Sequence, residues 1–334
     1  MLDARDVQLT YNDGTEALRG VDLTIPKGEF FGLLGPNGAG KTSFVKTLVT
    51  LLSPTDGDVF INGHDVTESK TAVRHSIGYM AQETSVDPEL SARENISFAC
   101  EAYGVPADER DERIDELLEL IDLADVADKT ADEYSGGMKK RLDAAMALVH
   151  RPPVVFLDEP TTGLDPEIRL RLWDHFREIN EQGTTVILTT QYLEEADELC
   201  DRIGLLQDGE IIATDGPERL KSQVGGDVLE LSIDAVDASE LERAAQVANA
   251  SGLFGSSAIE PTEDGLRVTA SDARAKGTDL LVELSDAGFT VTGFDIRSPT
   301  LDDVFLALTG ESIDDGTEDE PESSTERPEM EVPQ

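Results

Sequence analysis

Eight consecutive residues constrain this chain more than anything else in it: Gly35-Pro36-Asn37-Gly38-Ala39-Gly40-Lys41-Thr42, a match to G-x-x-x-x-G-K-[ST]. The apolar run Phe30–Leu34 leads into them, and a helical pattern, Ser43–Leu52, follows. A strand, a glycine-rich loop and a helix in that order make an anion-binding device. The glycines let successive N–H groups turn inward, and the helix start adds partial positive charge. The sequence therefore predicts that Gly35, Pro36, Asn37, Gly38, Ala39, Gly40, Lys41, Thr42 and Ser43 cradle the phosphates of a nucleotide. Lys41 would reach the β- and γ-phosphates, and the Thr42 hydroxyl would ligate Mg²⁺.

A second signal lies at Val154-Val155-Phe156-Leu157-Asp158-Glu159. Four apolar residues read as a buried parallel strand, and two carboxylates emerge at its C-terminal end, where open α/β sheets bind ligands. Asp158 is the expected Mg²⁺ ligand and Glu159 the expected base for an attacking water. A strand ending in acidic residues is common in a chain this acidic. Together with the glycine-rich loop it specifies a nucleoside triphosphatase.

From about Arg5 to Thr214, short strand-like runs alternate with helical patterns, which predicts an α/β core with a largely parallel sheet. The expected strands are Val7–Tyr11, Leu18–Ile25, Phe30–Leu34, Ile77–Met80, Val154–Leu157, Val186–Thr190 and Ile203–Gln207. Ser91–Lys129 carries no strand signal, and Ile114, Leu117, Leu118 and Ile121 recur at helical spacing, so a helical subdomain is inserted at about residues 85–150. Gly225-Gly226 marks a boundary. Beyond it the order βαββαβ predicts a small α+β domain of ferredoxin-like topology. Its expected pieces are Val228–Ile233, Ala238–Ala250, Ser257–Glu260, Leu266–Thr269, Ala273–Ala287 and Thr290–Arg297. Ser298 and Pro299 then suit the N-cap and N1 of a last helix. The expected organisation is a nucleotide-binding domain over 1–224, the small domain over 225–310 and a disordered acidic tail over 311–334.

Tyr134-Ser135-Gly136-Gly137-Met138 opens an apparent helix, Lys139–His150, shortly before the Asp158-Glu159 strand. Ser-Gly-Gly at a helix start is a second phosphate-binding device. In that position it resembles the signature motif of the ATP-binding-cassette (ABC) transporter ATPases. Further likenesses follow in chain order. Tyr11 matches the aromatic that stacks on adenine, Gln82 the Q-loop glutamine, and Gly163-Leu164-Asp165 the D-loop. Gln191, in Thr189-Thr190-Gln191, stands at the switch position. The resemblance covers the chain to about residue 215. Thr189–Ala196 and Thr300–Gly310 look, more narrowly, like the ATP-binding subunits of daunorubicin-resistance-type drug exporters. Met138 stands where the signature usually has Gln, and Gln191 where the switch usually has His. The Gln belongs to the narrower pattern. It can bond a γ-phosphate but cannot carry the charge of an imidazolium.

The resemblance implies ATP and Mg²⁺ as ligands, ATP hydrolysis, and Glu159 and Gln191 as the catalytic pair. It adds Gln82 to Thr42 and Asp158 around the metal, and Tyr11, Ser135, Gly136, Gly137 and Asp165 to the nucleotide contacts. Two such chains would dimerise head to tail, each ATP lying between the glycine-rich loop of one and the signature of the other. A separate integral membrane permease would receive the power stroke through the helical subdomain. The chain itself would sit peripherally on the cytoplasmic face of the membrane, touching it only through the permease. A soluble cassette ATPase without a transporter and a regulatory subunit that does not turn over stay open as alternatives. Thr300–Leu308 is equally readable as a helix sealing its own small domain or as a dimer contact.

Charge bears on the partners. The 334 residues hold 70 Asp and Glu against 27 Lys and Arg, a formal net charge of −43. So large an acidic excess excludes a general phosphate-backbone binder, and no nucleic-acid partner is expected. At molar salt the Debye length is about 3 Å and the self-repulsion is screened, which points to a halophile's cytoplasm. No stretch reaches the roughly 18–20 apolar residues of a membrane span, and the first residues, Met1–Gly14, do not read as a signal peptide. Cys100 and Cys200 lack metal-ligand spacing and suit reduced thiols.

Overall fold

The computed structural model describes residues 1–234, 238–255, 259–262 and 264–309. The expected tail over 311–334 and part of the strand expected at Ser257–Glu260 lie outside them.

Two sheets build the part of the chain that precedes Gly225. One is antiparallel, formed by β1 (Leu2–Thr10), β2 (Glu16–Ile25), β4 (Asp56–Ile61) and β5 (His64–Asp65) in the order β2-β1-β4-β5. The other has six strands. β3 (Phe30–Leu34), β6 (Ile77–Met80), β7 (Val154–Asp158), β8 (Thr185–Thr190) and β9 (Arg202–Gln207) run parallel, and β10 (Glu210–Asp215) is antiparallel at one edge. The order is β10-β9-β3-β8-β7-β6. The two-residue period of a strand divides its side chains between two cores. Phe31, Leu33, Val154 and Phe156 point to the core shared with the antiparallel sheet and α1 (Lys41–Leu48). Phe30, Leu34, Val155 and Leu157 point to the opposite core. Burying Phe156 fully contributes about 1.5–3 kcal/mol.

The opposite core is closed by helices. After α2 (Lys70–His75) and β6 come α3 (Ala92–Ala102), α4 (Arg110–Leu120) and α5 (Gly136–Ala147). Ser91 and Glu94 form a capping box at the start of α3. Helices α6 (Pro166–Glu181), α7 (Leu193–Leu199) and α8 (Pro217–Gln223) complete this part.

The remaining elements are β11 (Asp227–Ile233), α9 (Ala238–Ala250), β12 (Ile259–Pro261), β13 (Gly265–Ala270), α10 (Ala273–Asp286), β14 (Val291–Arg297) and α11 (Leu301–Thr309). The sheet order β12-β13-β11-β14, antiparallel throughout, is the ferredoxin-like arrangement expected from the order of elements. Leu229, Leu231, Ala244, Leu266, Val268 and Leu280 fill its core.

The structure departs from the sequence expectations at several points. β1 and β2 belong to the separate antiparallel sheet, not the parallel one. Strands β4, β5 and β10 were not foreseen. Helix α1 begins at Lys41 and stops at Leu48, because Thr50 takes a left-handed backbone (φ 67°). Helix α5 begins at Gly136, three residues before the expected start. The last helix starts at Leu301, not Pro299. The Thr300 hydroxyl accepts from the Asp303 amide at 3.4 Å, and the Asp303 carboxylate accepts from the Thr300 amide at 2.7 Å. This reciprocal cap outcompetes Ser298. Nor does α11 seal its own small domain. It packs on α8 and α7, and Leu301 and Val304 join the large core beneath the parallel sheet.

Candidate functional site

The C-terminal ends of four adjacent parallel strands, β3, β8, β7 and β6, carry the predicted chemistry. This is where an open α/β sheet places ligands. From β3 the chain turns through Gly35–Gly40 into α1. Gly40, at the N-cap, has φ 107°, and a Cβ there would stand 2.5 Å from the Ala17 carbonyl oxygen, so only glycine fits. The next hairpin braces this loop, the Gly209 amide donating to the Ala39 carbonyl at 3.0 Å. Lys41 is buried. Its ammonium donates to the Gly35 carbonyl at 2.6 Å and the Pro36 carbonyl at 3.1 Å. Burial lowers its pKa, and the charges of Glu159 and Asp158 oppose that shift. The ammonium is thus held in the loop and faces the two carboxylates. Tyr11, exposed just after β1, reaches the start of α1, its hydroxyl 2.9 Å from the Ser43 hydroxyl.

Asp158 and Glu159 end the buried strand β7. Asp158 Oδ1 accepts the Thr189 hydroxyl of β8 at 2.6 Å, and the Tyr79 hydroxyl of β6 also meets this carboxylate. Burial, then the nearby Asp158 charge, raises the Tyr79 pKa, so its phenol stays protonated as a donor. Glu159 has φ 49°, a left-handed conformation that costs a non-glycine residue about 1–3 kcal/mol. Its amide is fixed by the Thr189 carbonyl at 3.0 Å and the Thr189 hydroxyl at 3.1 Å. Its Oε2 accepts the Gln82 amide N–H at 2.9 Å. Gln191 follows directly on β8, half-buried. Thr42, Asp158 and Gln82 offer hydroxyl, carboxylate and amide oxygens, the hard donors Mg²⁺ takes together with phosphates. Among the described residues no cluster of His, Cys, Asp and Glu would cage a metal alone. The residues present therefore fit a magnesium nucleotide.

Ser135, Gly136 and Gly137 stand apart from this group. Ser135 caps α5, accepting from the Met138 amide at 3.3 Å. Gly137 is required inside the chain, since a Cβ there would lie 2.5 Å from Ile168. Gly136 faces open space, so nothing within 4 Å in its own subunit demands a glycine. Asp165 serves as the N-cap of α6, accepting from the Ile168 amide at 3.0 Å. Helix α5 instead reaches the site through residues not singled out in the sequence. The Lys140 ammonium donates to the Gln82 carbonyl at 2.6 Å. Buried Asp143 accepts from the Ser85 hydroxyl and, at 3.3 Å, from the Ser85 amide. Burial raises the Asp143 pKa, and these bonds and the Lys140 charge pull it back. Replacing Asp143 by Leu is expected to destabilise the fold by about 1–3 kcal/mol, because the Ser85 amide and hydroxyl lose their acceptor. Urea unfolding measures this, and an unchanged midpoint would show that the clamp contributes nothing.

Comparison with known proteins agrees with this geometry. Residues 18–162 match the family described as ABC transporter, and residues 216–309 match the family described as ATP-binding protein DrrA1-3-like, C-terminal domain. The chain is 43% identical over 298 residues to the daunorubicin resistance ATP-binding protein DrrA3 of Streptomyces coeruleorubidus, covering 89% of this chain and 92% of that protein. It belongs to the ATP-binding proteins of ABC transporters. The daunorubicin/doxorubicin resistance ATP-binding protein DrrA of Streptomyces peucetius is 42% identical over 314 residues, with 93% of this chain and 92% of that protein covered. A dimeric ATP-binding cassette solved in a post-hydrolysis state with ADP and Pi superimposes with a TM-score of 0.60 at 30% identity, covering 65% of this chain and 98% of that one. This ABC protein is thus the ATP-hydrolysing subunit of a transporter. No helix among its described residues is long and apolar enough to cross a membrane.

Proposed function

We propose that this ABC subunit works as a head-to-tail homodimer on the cytoplasmic face of a membrane and powers export through a separate permease. One observation carries the catalytic reading. Glu159 is buried on strained backbone, adjacent to Asp158 and bonded to Gln82. Thr42, Asp158 and Gln82 would hold Mg²⁺, which when bound would offset the charge developing on the transferred phosphoryl group. Residues Gly35–Ser43 bind the phosphates, Lys41 supplies the fixed positive charge, and Tyr11 stacks on the adenine. Glu159 orients the attacking water and takes its proton. Gln191 positions the terminal phosphate by hydrogen bonding alone. Ser135, Gly136 and Gly137 complete the site of the other subunit, and Asp165 lies at the junction of the two. In this reading residues 1–224 form the nucleotide-binding domain, with its helical subdomain at about 85–150, and residues 225–310 the small domain.

The permease docks between α1 and the helical subdomain. A cavity of about 490 Å³ lies there, lined by Leu51, Thr71, Arg74, Tyr79 and Tyr103 among others. Leu51 is 57% exposed, and nearby on α3 Phe98 is 66% exposed, so large apolar surface is left to be covered. Purifying the tagged chain from its own cells in detergent is expected to bring down a polytopic membrane protein. Recovery of all of it from membrane-free extract, alone and fully active, would count against the transporter partnership.

The charge of −43 supports the reading that this subunit works in a salt-rich cytoplasm. Closure of the dimer brings two acidic surfaces together, so it depends on screening more than the fold of one subunit does. ATPase activity is expected to rise with KCl into the molar range, and to be lost before secondary structure as salt is withdrawn. Turnover and far-UV circular dichroism along one KCl titration test this. Full activity at about 0.1 M KCl, declining as salt is added, would rule it out.

A further inference from the structure

Two loops of the site meet at a carboxylate to which the reaction assigns no task. Glu195 lies in the first turn of α7 and is 0% exposed. Its Oε1 accepts the Thr161 hydroxyl at 2.9 Å and the Trp173 indole N–H at 2.8 Å. Thr161 stands two residues after Glu159, in the loop that ends at Asp165. Trp173 lies on α6, the helix that Asp165 caps. On the other side, the Glu195 amide donates to the carbonyl of Tyr192, the residue after Gln191, at 3.1 Å. The Thr190 hydroxyl, one residue before Gln191, also meets the Glu195 carboxylate. One side chain therefore joins the segment following β7 to the segment following β8. Its second oxygen, Oε2, is buried with no hydrogen-bond partner among the described residues. Burial raises the pKa of this group, against the hydrogen bonds from Trp173 and Thr161 and the charge of Arg169. A side chain wanted only for packing would be apolar here, because a buried polar atom without a partner costs free energy.

We propose that Glu195 is a positioning residue for ATP hydrolysis: it locks the loop that carries Glu159 and the loop that carries Gln191 into one register. This rests on the reading that Glu159 and Gln191 act at the terminal phosphate. Both loops are short and lie at the ends of neighbouring strands. A single rigid acceptor between them keeps the two polar side chains aimed at the same reacting centre. Trp173 is the only tryptophan of the chain and ends on the same oxygen, so its emission reports the join directly.

The test uses the full-length subunit. Glu195→Leu keeps the volume and removes the acceptor. Turnover is expected to fall at least about tenfold, since ångström-scale misplacement of reacting groups costs up to about 100-fold. The KM for ATP is expected to stay within about threefold, and the Trp173 emission to shift. Glu195→Gln, which keeps an acceptor oxygen for both donors, is expected to restore turnover to within about threefold of the native rate. If Glu195→Leu does not fold, Thr161→Val removes one of the same bonds and is expected to lower kcat in the same sense. Unchanged turnover in the folded variant overturns the proposal. So does a loss of ATP binding equal to the loss of turnover, or a loss that Gln does not restore. Glu159→Gln run alongside separates the two readings. Normal turnover in that variant removes the underlying site assignment. Its loss together with a fully active Glu195→Leu removes only the proposal made here.

Discussion

Glu159→Gln is expected to bind ATP with near-native affinity and to lose turnover by roughly 100- to 10,000-fold, the range that a general base contributes. The substitution is nearly isosteric. A glutamine can still accept from Gln82 through its oxygen, and the backbone amide keeps its bonds to Thr189. What disappears is the ability to take a proton. Asp158 is not expected to replace it, because that carboxylate is already held by Thr189 and Tyr79. The strained backbone makes the outcome sharper. The left-handed backbone at φ 49° is held by the two bonds of the Glu159 amide to Thr189, and neither depends on the side chain that is changed. With hydrolysis stopped and binding intact, the ATP-bound dimer is expected to accumulate on size exclusion with Mg-ATP. Near-normal turnover in this variant would remove Glu159 from its role.

Ser135→Arg is expected to abolish hydrolysis while leaving ATP binding to the isolated subunit almost unchanged. Ser135 is exposed at the start of α5, and its hydroxyl serves only its own helix in this subunit. Among the described residues, no hydrogen bond or ion pair joins it to Gly35–Ser43. In the proposed head-to-tail dimer its effect on ATP comes through a second copy. Mixing Ser135→Arg with Lys41→Ala subunits tests this. In a head-to-tail mixed dimer one site takes both lesions and the other is intact. An equal mixture is therefore expected to recover about one quarter of native activity if subunits exchange at random and sites are independent. No recovery in dimers verified to be mixed would defeat the arrangement.

The legible parts of this molecule are those whose causes are local. The strand Phe30–Leu34, the turn at Gly40 and the carboxylates after Leu157 each follow from a few consecutive residues, and the structure has them where the pattern put them. The contacts that set the geometry are not local. Gln82 and Glu159 are 77 residues apart, and Thr189 and Asp158 are 31 apart. They meet only because β6, β7 and β8 lie side by side, a strand order that no short window of sequence encodes. Lys140 and Asp143 belong to no motif that marks them in the sequence. Two missed hairpins did have a signal. Asn62-Gly63 and Asp208-Gly209 are the dipeptides that favour the tight turn with both residues at positive φ, and all four residues have it. Strand β4 was hidden because it begins with Asp-Gly-Asp, which reads as a turn.

The position of α11 bears on the order in which this protein can be completed. Leu301 and Val304 are made after every other described helix and strand, yet they close a core otherwise built from residues between Phe30 and Val224. Arg297 pairs with Asp303 and Glu230, fastening the final strand to the helix that follows. A chain still in synthesis can form its sheets and load its glycine-rich loop, but α7 and α8 keep bare apolar faces until the last described helix arrives. The segment directly behind the Gln191 loop is thus completed by α11, and a nascent subunit stays open beside Gln191 until that helix has been made.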